Sequence, residues 1–445
     1  MPNLQAFFHV DGLSLLLIGL VAFVGLCIAA FAARYLRGDC GQRRFFLLLT
    51  TLCATIVVLV SADRLWLLLA AWGTSNLLLI RLMVHESGWG AARAAGRLAG
   101  RNFLLGFALL AAALGLLYLG SGQSSIQAIL QDPGSTALLT PALLLMLGAA
   151  MTQSAIWPFH RWLTSSLNSP TPVSALMHAG LINGGGFLLA RFAPLYLDSS
   201  MLLAILFVAG IATALIGTLW KLMQHDIKRM LASSTMAQMG FMLAQCGLGL
   251  FPAAVVHLVW HGLFKAYLFL ASGSAAKERR LDLDYPPGPL ALALALACGA
   301  LGSVAFAAAG GRGWLPADAS LVLVAVAFIG GAQFALTLLR RRPLLMLPAA
   351  AGLTAALGAA YGASVHGVEL LLAPAVPAQP AALAPWHWAA IALLLSAWLA
   401  MLFLQRPGGR SRLPRWVLRL YVPILNASQP APATVTAQRN HYNAL

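Results

Sequence analysis

The chain has 445 residues, of which 60% are hydrophobic and only 9% are charged. A soluble domain usually carries about 25% charged residues, so this composition excludes an ordinary soluble globular fold. The formal net charge of +16 would suit a nucleic-acid partner. The basic residues nevertheless lie between apolar stretches, as expected of membrane loops, and we expect lipid and no nucleic acid around this chain.

Apolar stretches of about 18 or more residues recur along nearly the whole chain, and each has the length of a transmembrane helix. The sequence therefore predicts an all-α polytopic membrane protein with about 13 transmembrane helices. We divide it into N-terminal helices (1–136), a core (137–280), C-terminal helices (281–405) and a cytoplasmic amphipathic tail (406–445). The predicted spans begin near Gly12, Phe45, Leu65, Phe103, Ala137, Val173, Met201, Met230, Pro252, Leu290, Ala319, Leu344 and Trp386.

Basic residues are divided unevenly between alternate loops. With the N-terminus outside, 23 of the 28 Lys and Arg residues lie in inside segments, against only Arg64, Arg191 and Arg312 outside. Because cytoplasmic loops concentrate basic residues, we expect an outside N-terminus, a cytoplasmic C-terminus and a multi-pass location in the cell inner (plasma) membrane. The opening residues lack a basic stretch and a small-residue cleavage site, so no signal peptide is expected.

Several kinds of chemistry have no support in the sequence. The five cysteines are scattered without metal-ligand spacing, and no glycine-rich phosphate loop follows a strand pattern. All twelve acidic residues lie in loops or at span ends. We therefore expect no metal site, no cofactor and no catalytic residue in this chain.

Ionisable residues at membrane depth cluster in one part of the chain. The stretch "HLVWHGLFKAYLF" places His257, His261 and Lys265 at i, i+4 and i+8, which is one face of a helix. A membrane-embedded lysine is costly unless it is paired, hydrated or neutral, and burial favours its neutral form. Together with His178, these residues are the predicted ion pathway. The alternative is a set of core histidines bonded to backbone carbonyls.

Helix-breaking sequence interrupts the apolar pattern at "WPFHRWLTSSLNSPTPVSALMHAG", Trp157 to Gly180. Irregular backbone at membrane depth is tolerated only inside protein or beside a water-filled cavity. Because prolines remove amide donors, we predict a broken helix near 156–172 beside a hydrated pocket, and a second near 252–272. A purely structural kink is the alternative. The predicted helix-breaking residues are Pro158, Pro170 and Pro172, and Gln153 and His160 complete the predicted ion pathway.

Two neighbouring stretches extend this pocket. "LINGGGF" (181–187) is expected to let another backbone approach closely. "QHDIKRMLASSTMAQMGFM" (224–242) opens a helix with Asp226 as a plausible N-cap, and its hydroxyl cluster is expected to line the pocket.

Three long stretches resemble the antiporter-like membrane subunits shared by respiratory complex I, membrane hydrogenases and Mrp-type cation/proton antiporters. They are "SPTPVSALMHAG", "DIKRMLASSTMAQMGFM" and "HGLFKAYLFLASGS". The resemblance implies half-channels built on broken helices and joined by lysines and histidines at mid-membrane. Carried onto this chain, it points to His178, His257, His261 and Lys265.

The chain departs from that family's pattern at two positions. The usual lysine on the first broken helix falls on Gln153, and the usual Trp-Glu on an earlier helix is Trp72-Gly73. Losing both is consistent, because a lone buried charge would be worse than none.

One branch of the family is the more similar, on "DGLSLLLIGLVAFVG", "RYLRGDCGQRRFF", "AAWGTSN", "LMHAGLINGGGFLLARFAPL" and "LRLYVPILN". This branch is the membrane subunit, DabB, of DAB-type inorganic carbon accumulation complexes. It implies a partner, DabA, a peripheral zinc subunit resembling β-carbonic anhydrase. Cation flow through the membrane subunit, of protons or sodium, would then drive CO2 hydration to bicarbonate on that partner.

Three functions remain open at this point. The first is that coupling subunit, in which the chain is no enzyme itself. The second is an Mrp-type antiporter subunit or a proton-pumping subunit of a complex like complex I or a hydrogenase. The third is a non-conducting scaffold. The tail "RSRLPRWVLRLYVPIL" (410–425) interleaves arginines with large apolar residues, a pattern that suits the inner membrane surface or a partner groove.

Overall fold

A computed structural model of the chain describes residues 7–273, 286–373, 375–404 and 415–435. These residues form helices and connecting turns, with no strand among them. The α-helices are α1 (Gly12–Tyr35), α2 (Gln42–Ser61), α3 (Leu65–Met83), α4 (Gly90–Ser121), α5 (Ile126–Gln131), α6 (Thr136–Gln153), α7 (Arg161–Thr164), α8 (Thr171–Ala179), α9 (Gly184–Arg191), α10 (Ala193–Leu197), α11 (Ser200–Met223), α12 (Ile227–Gly247), α13 (Phe251–Leu270), α14 (Pro289–Ala309), α15 (Leu321–Leu339), α16 (Pro343–Leu372), α17 (Pro385–Leu404) and α18 (Arg415–Ala427).

Twelve helical segments in the described ranges are long and apolar enough to cross a membrane. One of them combines α8 and α9, as the single segment Thr171–Arg191. The all-α polytopic fold is therefore confirmed. Helix α12 falls below that hydropathy but has 21 residues, about 30 Å at 1.5 Å per residue, and it corresponds to the expected span that begins near Met230. The division into four sections and the orientation stay predictions, and Lys277, Arg279 and Arg280 lie outside the described residues.

Glycines hold the C-terminal half of α12 against α11. A Cβ added at Gly210 would lie 2.6 Å from the Gly240 carbonyl oxygen, and one at Gly247 would lie 2.3 Å from the Phe207 amide nitrogen. Such close approach of backbones is how membrane helices associate without a hydrophobic driving force. This close packing holds α12, which carries the hydroxyl cluster, in place between α11 and α13.

The break after α6 is confirmed. Helix α6 ends at Gln153, Ala155 takes a φ of 52° in the left-handed region, and regular helix resumes only with the short α7. The terminal carbonyl of Thr152 accepts from the indole Nε1 of Trp162 at 3.1 Å and from the amide of Asn102 at 2.9 Å. These side chains replace the amide donors that a continued helix would have supplied.

The expected second break near 252–272 is wrong. Helix α13 runs without interruption from Phe251 to Leu270, because Pro252 lies in its first turn, where no intrahelical donor is lost. The second interruption lies instead between α8 and α9. There Gly180 ends one helix and residues 181–183 form a single 3₁₀ turn.

A buried ion pair ties this broken span to α1. Arg191, at the end of α9, donates to Asp11 at 2.6 Å, to the Ser14 hydroxyl at 2.8 Å and to the Val60 carbonyl at 2.9 Å. Burial alone would raise the pKa of Asp11, but the Arg191 charge and the hydrogen bonds outweigh it and hold the pKa below its usual value. Arg191, expected in an outside segment, is thus a buried anchor between α9, α1 and α2.

The C-terminal segment returns to the broken region. After the amphipathic helix α18, the Ala431 amide donates to the Ser165 hydroxyl at 2.9 Å, and Asn168 donates to the Thr434 carbonyl at 2.7 Å. Leu420 and Val422, on α18, are more than half exposed. The first residues of the expected amphipathic tail, 406–414, lie outside the described residues.

Candidate functional site

The site begins with one face of α13. His257, His261 and Lys265 are all buried, and Lys265 is only 1% exposed. Their spacing of four residues stacks them, and the two imidazole rings lie nearly parallel with centroids 6.0 Å apart. The sequence-predicted face is therefore formed, and its residues lie together at membrane depth.

A crevice of about 670 Å³ opens along this face. Its polar lining comes from α11, α12, α13 and α16, and its outer edge carries Trp260 and Phe264, which are 51% and 59% exposed. The polar lining residues are Thr218, Lys221, Ser234, Gln238, Gln245, His257, His261, Lys265 and Tyr361. A polar crevice of this size gives buried basic groups room for water.

Hydrogen bonds connect Lys265 to His178 through α12. The Lys265 ammonium nitrogen donates to the Leu231 carbonyl at 3.1 Å, and the Thr235 hydroxyl donates to the same carbonyl at 3.0 Å. The Thr235 oxygen lies 2.9 Å from Nδ1 of His178. We name the set Lys265, Leu231 carbonyl, Thr235 and His178 the lysine arm.

The lysine arm is basic without an acidic partner. Within the described ranges, Lys265, His178, His257 and His261 make no ion pair with a carboxylate. The Nε2 atoms of His257 and His261 are buried without a hydrogen-bond partner among the described residues. Groups that exchange protons with water need such free positions, so the arrangement suits relay chemistry better than a closed structural network.

A second polar group lies at the break and carries no charge. Gln153 donates to the Asn76 side-chain oxygen at 3.0 Å and to the Leu181 carbonyl at 3.2 Å. Asn183 donates to the Ala179 carbonyl at 2.7 Å, and Trp72 lies against Gly184. We name the set Trp72, Asn76, Gln153 and Asn183 the amide arm. Gln153 is thus paired with a neutral amide.

His160 is not brought into the lysine arm. Its ring packs on Trp220, with centroids 4.7 Å apart. Burial, with the neighbouring Arg161 charge, lowers the pKa of His160 to about 4, so the imidazole is neutral at physiological pH. Its role in the ion pathway stays a prediction.

The three prolines have separate local roles. Pro158 follows the end of α6, Pro170 is the N-cap of α8 and Pro172 lies in its first turn. Lys228 donates to the Ser169 carbonyl at 3.0 Å, just before α8. The prolines therefore restart the helix that carries His178.

Part of the site could not be read from motifs. Asp226 caps α12 as expected, accepting from the Arg229 amide at 2.9 Å. Of the hydroxyl cluster, Ser234 lines the crevice along α13 and Thr235 contacts His178. Asn76 and Asn183 were missed, although an asparagine within an apolar helix is itself a signal of a buried polar contact.

A sequence profile described as "NADH:quinone oxidoreductase/Mrp antiporter, TM" matches residues 62–285, which is half of the chain. A second profile, for the "NADH-Ubiquinone oxidoreductase (complex I), chain 5 N-terminus", matches residues 3–46. The matched regions include every residue of both arms.

Curated relatives are similar at about 40% identity. A probable inorganic carbon transporter subunit DabB1 from Halothiobacillus neapolitanus is 41% identical over 63% of this chain and 52% of its own length. A probable inorganic carbon transporter subunit DabB from Bacillus subtilis is 42% identical over 60% of this chain and 54% of its own length. NADH-quinone oxidoreductase subunit L from Escherichia coli is 38% identical over 59% of this chain and 44% of its own length. The chain thus spans about half the length of the curated relatives it matches.

Among solved structures, the Mrp complex from a Dietzia species contains a chain with the same fold. The superposition has a TM-score of 0.63 at 24% identity and covers 98% of this chain and 52% of that chain.

Proposed function

Since the chain belongs to the NADH:quinone oxidoreductase/Mrp antiporter transmembrane family, we propose that it is the proton-conducting membrane subunit of an inorganic carbon accumulation complex. The members of this family are transport components of membrane assemblies. The observation that carries proton conduction is the lysine arm, in which hydrogen bonds of 2.9 to 3.1 Å hold the two titratable residues, His178 and Lys265, around the Leu231 carbonyl, which accepts from both sides and itself passes on no proton.

The chemistry of Lys265 suits proton exchange. Burial in the membrane favours the neutral amine, and the crevice supplies water, so one nitrogen can take up a proton and release it. His261 and His257 continue the same face of α13 along the crevice. The proposed path therefore follows α13, and His178 links it to the break.

The amide arm favours the carbon-accumulation branch over a pumping subunit of complex I. The expected lysine and glutamate of that pattern are Gln153 and Gly73 here, and Gln153 bonds to Asn76 instead. Relatives named as DabB and as complex I subunits are similar in identity, so this departure supports the choice. An antiporter subunit is the second candidate.

CO2 hydration is placed on a partner. Because the proposal gives this chain only ion transfer, the hydration chemistry belongs to a peripheral zinc subunit of the DabA type, docked on the cytoplasmic side of the plasma membrane. The exposed part of α18 is the proposed docking surface, and Leu420 and Val422 are two of its exposed apolar residues.

The test is coexpression with the product of the neighbouring gene, followed by purification and a bicarbonate-uptake assay in a strain without other carbonic anhydrases. We expect a zinc protein to copurify, and uptake to stop on addition of a protonophore. Copurification of Mrp or quinone-reducing subunits instead would overturn the proposal. Uptake that resists the protonophore but requires sodium would replace the proton by sodium.

Docking is tested separately with Leu420→Glu/Val422→Glu, which leaves residues 428–434 and their contacts in place. We expect the partner to be lost while the membrane subunit still accumulates. Unchanged copurification of the partner, with this variant and after truncation at Gln405, would remove α18 from the interface.

A further inference from the structure

A small cavity of about 50 Å³ lies where α3 and α6 meet the break between α8 and α9. Most of its wall is apolar, with leucines and valines of α1 and α2 on one side. Its polar lining residues are Trp72, Ser75, Gln153 and Asn183. The amide arm therefore has a cavity of its own, separate from the crevice that borders Lys265.

Two polar atoms of this lining have complementary character. The Trp72 indole nitrogen is a donor and the Asn183 side-chain oxygen is an acceptor, and neither has a hydrogen-bond partner among the described residues. Trp72 is 2% exposed and Asn183 is 4% exposed. The orientation of the Asn183 amide is fixed, because its nitrogen donates to the Ala179 carbonyl at 2.7 Å.

Leaving either atom unsatisfied in the membrane interior would cost about 1–3 kcal/mol. A water molecule satisfies both atoms, since it accepts from an indole N–H and donates to an amide oxygen. One buried water needs about 10–15 Å³ and two to four polar partners. The cavity meets the volume requirement, and Ser75 and Gln153 line the same cavity and offer further polar atoms.

We propose that this cavity is a binding site for ordered water that bridges Trp72 to Asn183, and that this water is a charge-free section of the proton path. The inference rests on the proposed function for its role in conduction. Hydrogen-bonded water carries protons without a fixed ion. The site thus accounts for a path that has Gln153 where the family pattern has lysine.

The cavity reaches α13 beside the histidine face. Leu258, one residue after His257, lines it. A Cβ added at Gly262 would lie 2.8 Å from the Ala179 carbonyl oxygen and 3.4 Å from the Asn183 nitrogen. Gly262, one residue after His261, thus lets α13 approach the break closely, so the cavity adjoins the part of α13 that carries the histidine face.

The test is X-ray radiolytic labelling of the full chain in lipid nanodiscs, read by mass spectrometry. Radicals form from water in place, so buried side chains beside bound water are modified and dry ones are not. Trp162 is the matched control, because it is 1% exposed and its indole already donates to a carbonyl. We expect Trp72 to be labelled about tenfold faster than Trp162. Equally slow labelling of Trp72 and Trp162 would contradict a water site in this cavity.

This first comparison needs no substitution and so does not depend on a variant folding. Asn183→Leu is then expected to slow Trp72 labelling by about tenfold, since it removes the acceptor and much of the polar character of the cavity. If the rate of Trp72 labelling in the unmodified protein changes when sodium is replaced by choline, the cavity is a cation site instead.

The role in conduction is read from bicarbonate uptake. Trp72→Phe keeps an aromatic ring but removes the indole donor together with the five-membered ring, and it is expected to lower uptake severalfold with Lys265 intact. Unchanged uptake would overturn the conducting role. Fast Trp72 labelling in a chain that supports no uptake with any partner would instead refute the proposed function and leave the water site standing.

Discussion

The lysine arm and the amide arm are both buried and both lie beside a broken or hydrated part of the fold, but only one of them can hold charge. The lysine arm contains two titratable side chains bridged by Thr235 and a carbonyl. The amide arm contains none, and its central contact joins Gln153 to Asn76. The two arms therefore differ in titration, because the titratable side chains among them, His178 and Lys265, lie on α8 and α13 and belong only to the lysine arm.

The largest expected effect comes from removing charge from the lysine arm. We expect Lys265→Ala to reduce bicarbonate uptake by about 100-fold or more, because general acid–base groups contribute about 10²- to 10⁴-fold. Gln153→Ala, which deletes a neutral hydrogen bond, is expected to cost about fivefold at most. The measurement is uptake at matched protein level, with partner pull-down as the assembly check.

Lys221→Ala is the matched control for this prediction. Lys221 is an exposed lysine that lines the same crevice. Equal loss of uptake in Lys221→Ala and Lys265→Ala would show that net charge in the crevice matters and that the buried position does not.

Installing charge in the amide arm is the next largest change. Gln153→Lys is expected to destabilise the fold by about 3 kcal/mol, the scale for an unpaired lysine at membrane depth. Adding Gly73→Glu should restore part of that loss by pairing the charge. The restoration is limited because a Cβ at Gly73 would lie 2.9 Å from the Phe107 ring, which must move.

Thermal unfolding of the two single variants and the double variant in nanodiscs forms the cycle that measures this coupling. If Gln153→Lys unfolds at the same temperature as the unmodified protein, the arm tolerates charge and the contrast between the two arms is lost.

Breaking the bridge within the lysine arm is expected to have a smaller effect. Thr235→Val keeps the shape of the side chain and removes the hydroxyl between His178 and the Leu231 carbonyl. We expect uptake to fall about tenfold, the equivalent of about one lost hydrogen bond. Ser233→Ala, on the same helix, is the control, and an equal fall there would point to a general disturbance of α12.

The two arms show which parts of the site can be predicted from the sequence alone. Helical periodicity placed His257, His261 and Lys265 on one face, because a spacing of four residues allows no other arrangement on an unbroken helix. The proline-rich stretch likewise predicted the break after α6. The pairing of Gln153 with Asn76 joins residues 77 positions apart, and no local pattern encodes such a contact.

The prediction of a break near 252–272 was wrong for a local physical reason. A proline ends a helix only when its missing donor and its ring fall inside the helix, and Pro252 falls in the first turn. The interruption at Gly180 was missed because the apolar Leu181 and Ile182 read as a continuation of the helix. Its position depends on tertiary contacts, including the Ser154 hydroxyl, which donates to the Ile182 carbonyl at 2.7 Å.

The smallest expected effect concerns His160, which lies outside both arms. His160→Gln should leave uptake unchanged at neutral pH, since the imidazole is already neutral. Burial lowers its folded-state pKa from the ordinary 6.5 of a histidine to about 4, so the unfolded chain binds more protons as the pH falls. The native fold should therefore lose stability from about pH 6.5 down to about pH 4.

The measurement is the unfolding temperature at neutral pH and at pH 5 for the unmodified protein and for His160→Gln. We expect the unfolding temperature of His160→Gln to fall less between neutral pH and pH 5 than that of the unmodified protein. An identical loss in both proteins would mean that His160 is solvated and titrates normally.

The most direct test of proton exchange at Lys265 is bicarbonate uptake by Lys265→Arg, with the partner confirmed bound. Arginine keeps the positive charge at this position but does not deprotonate in proteins. Because the account requires Lys265 to take up and release a proton, it predicts uptake no higher than that of Lys265→Ala. Uptake at the level of the unmodified protein would show that a fixed charge suffices, and it would contradict the account.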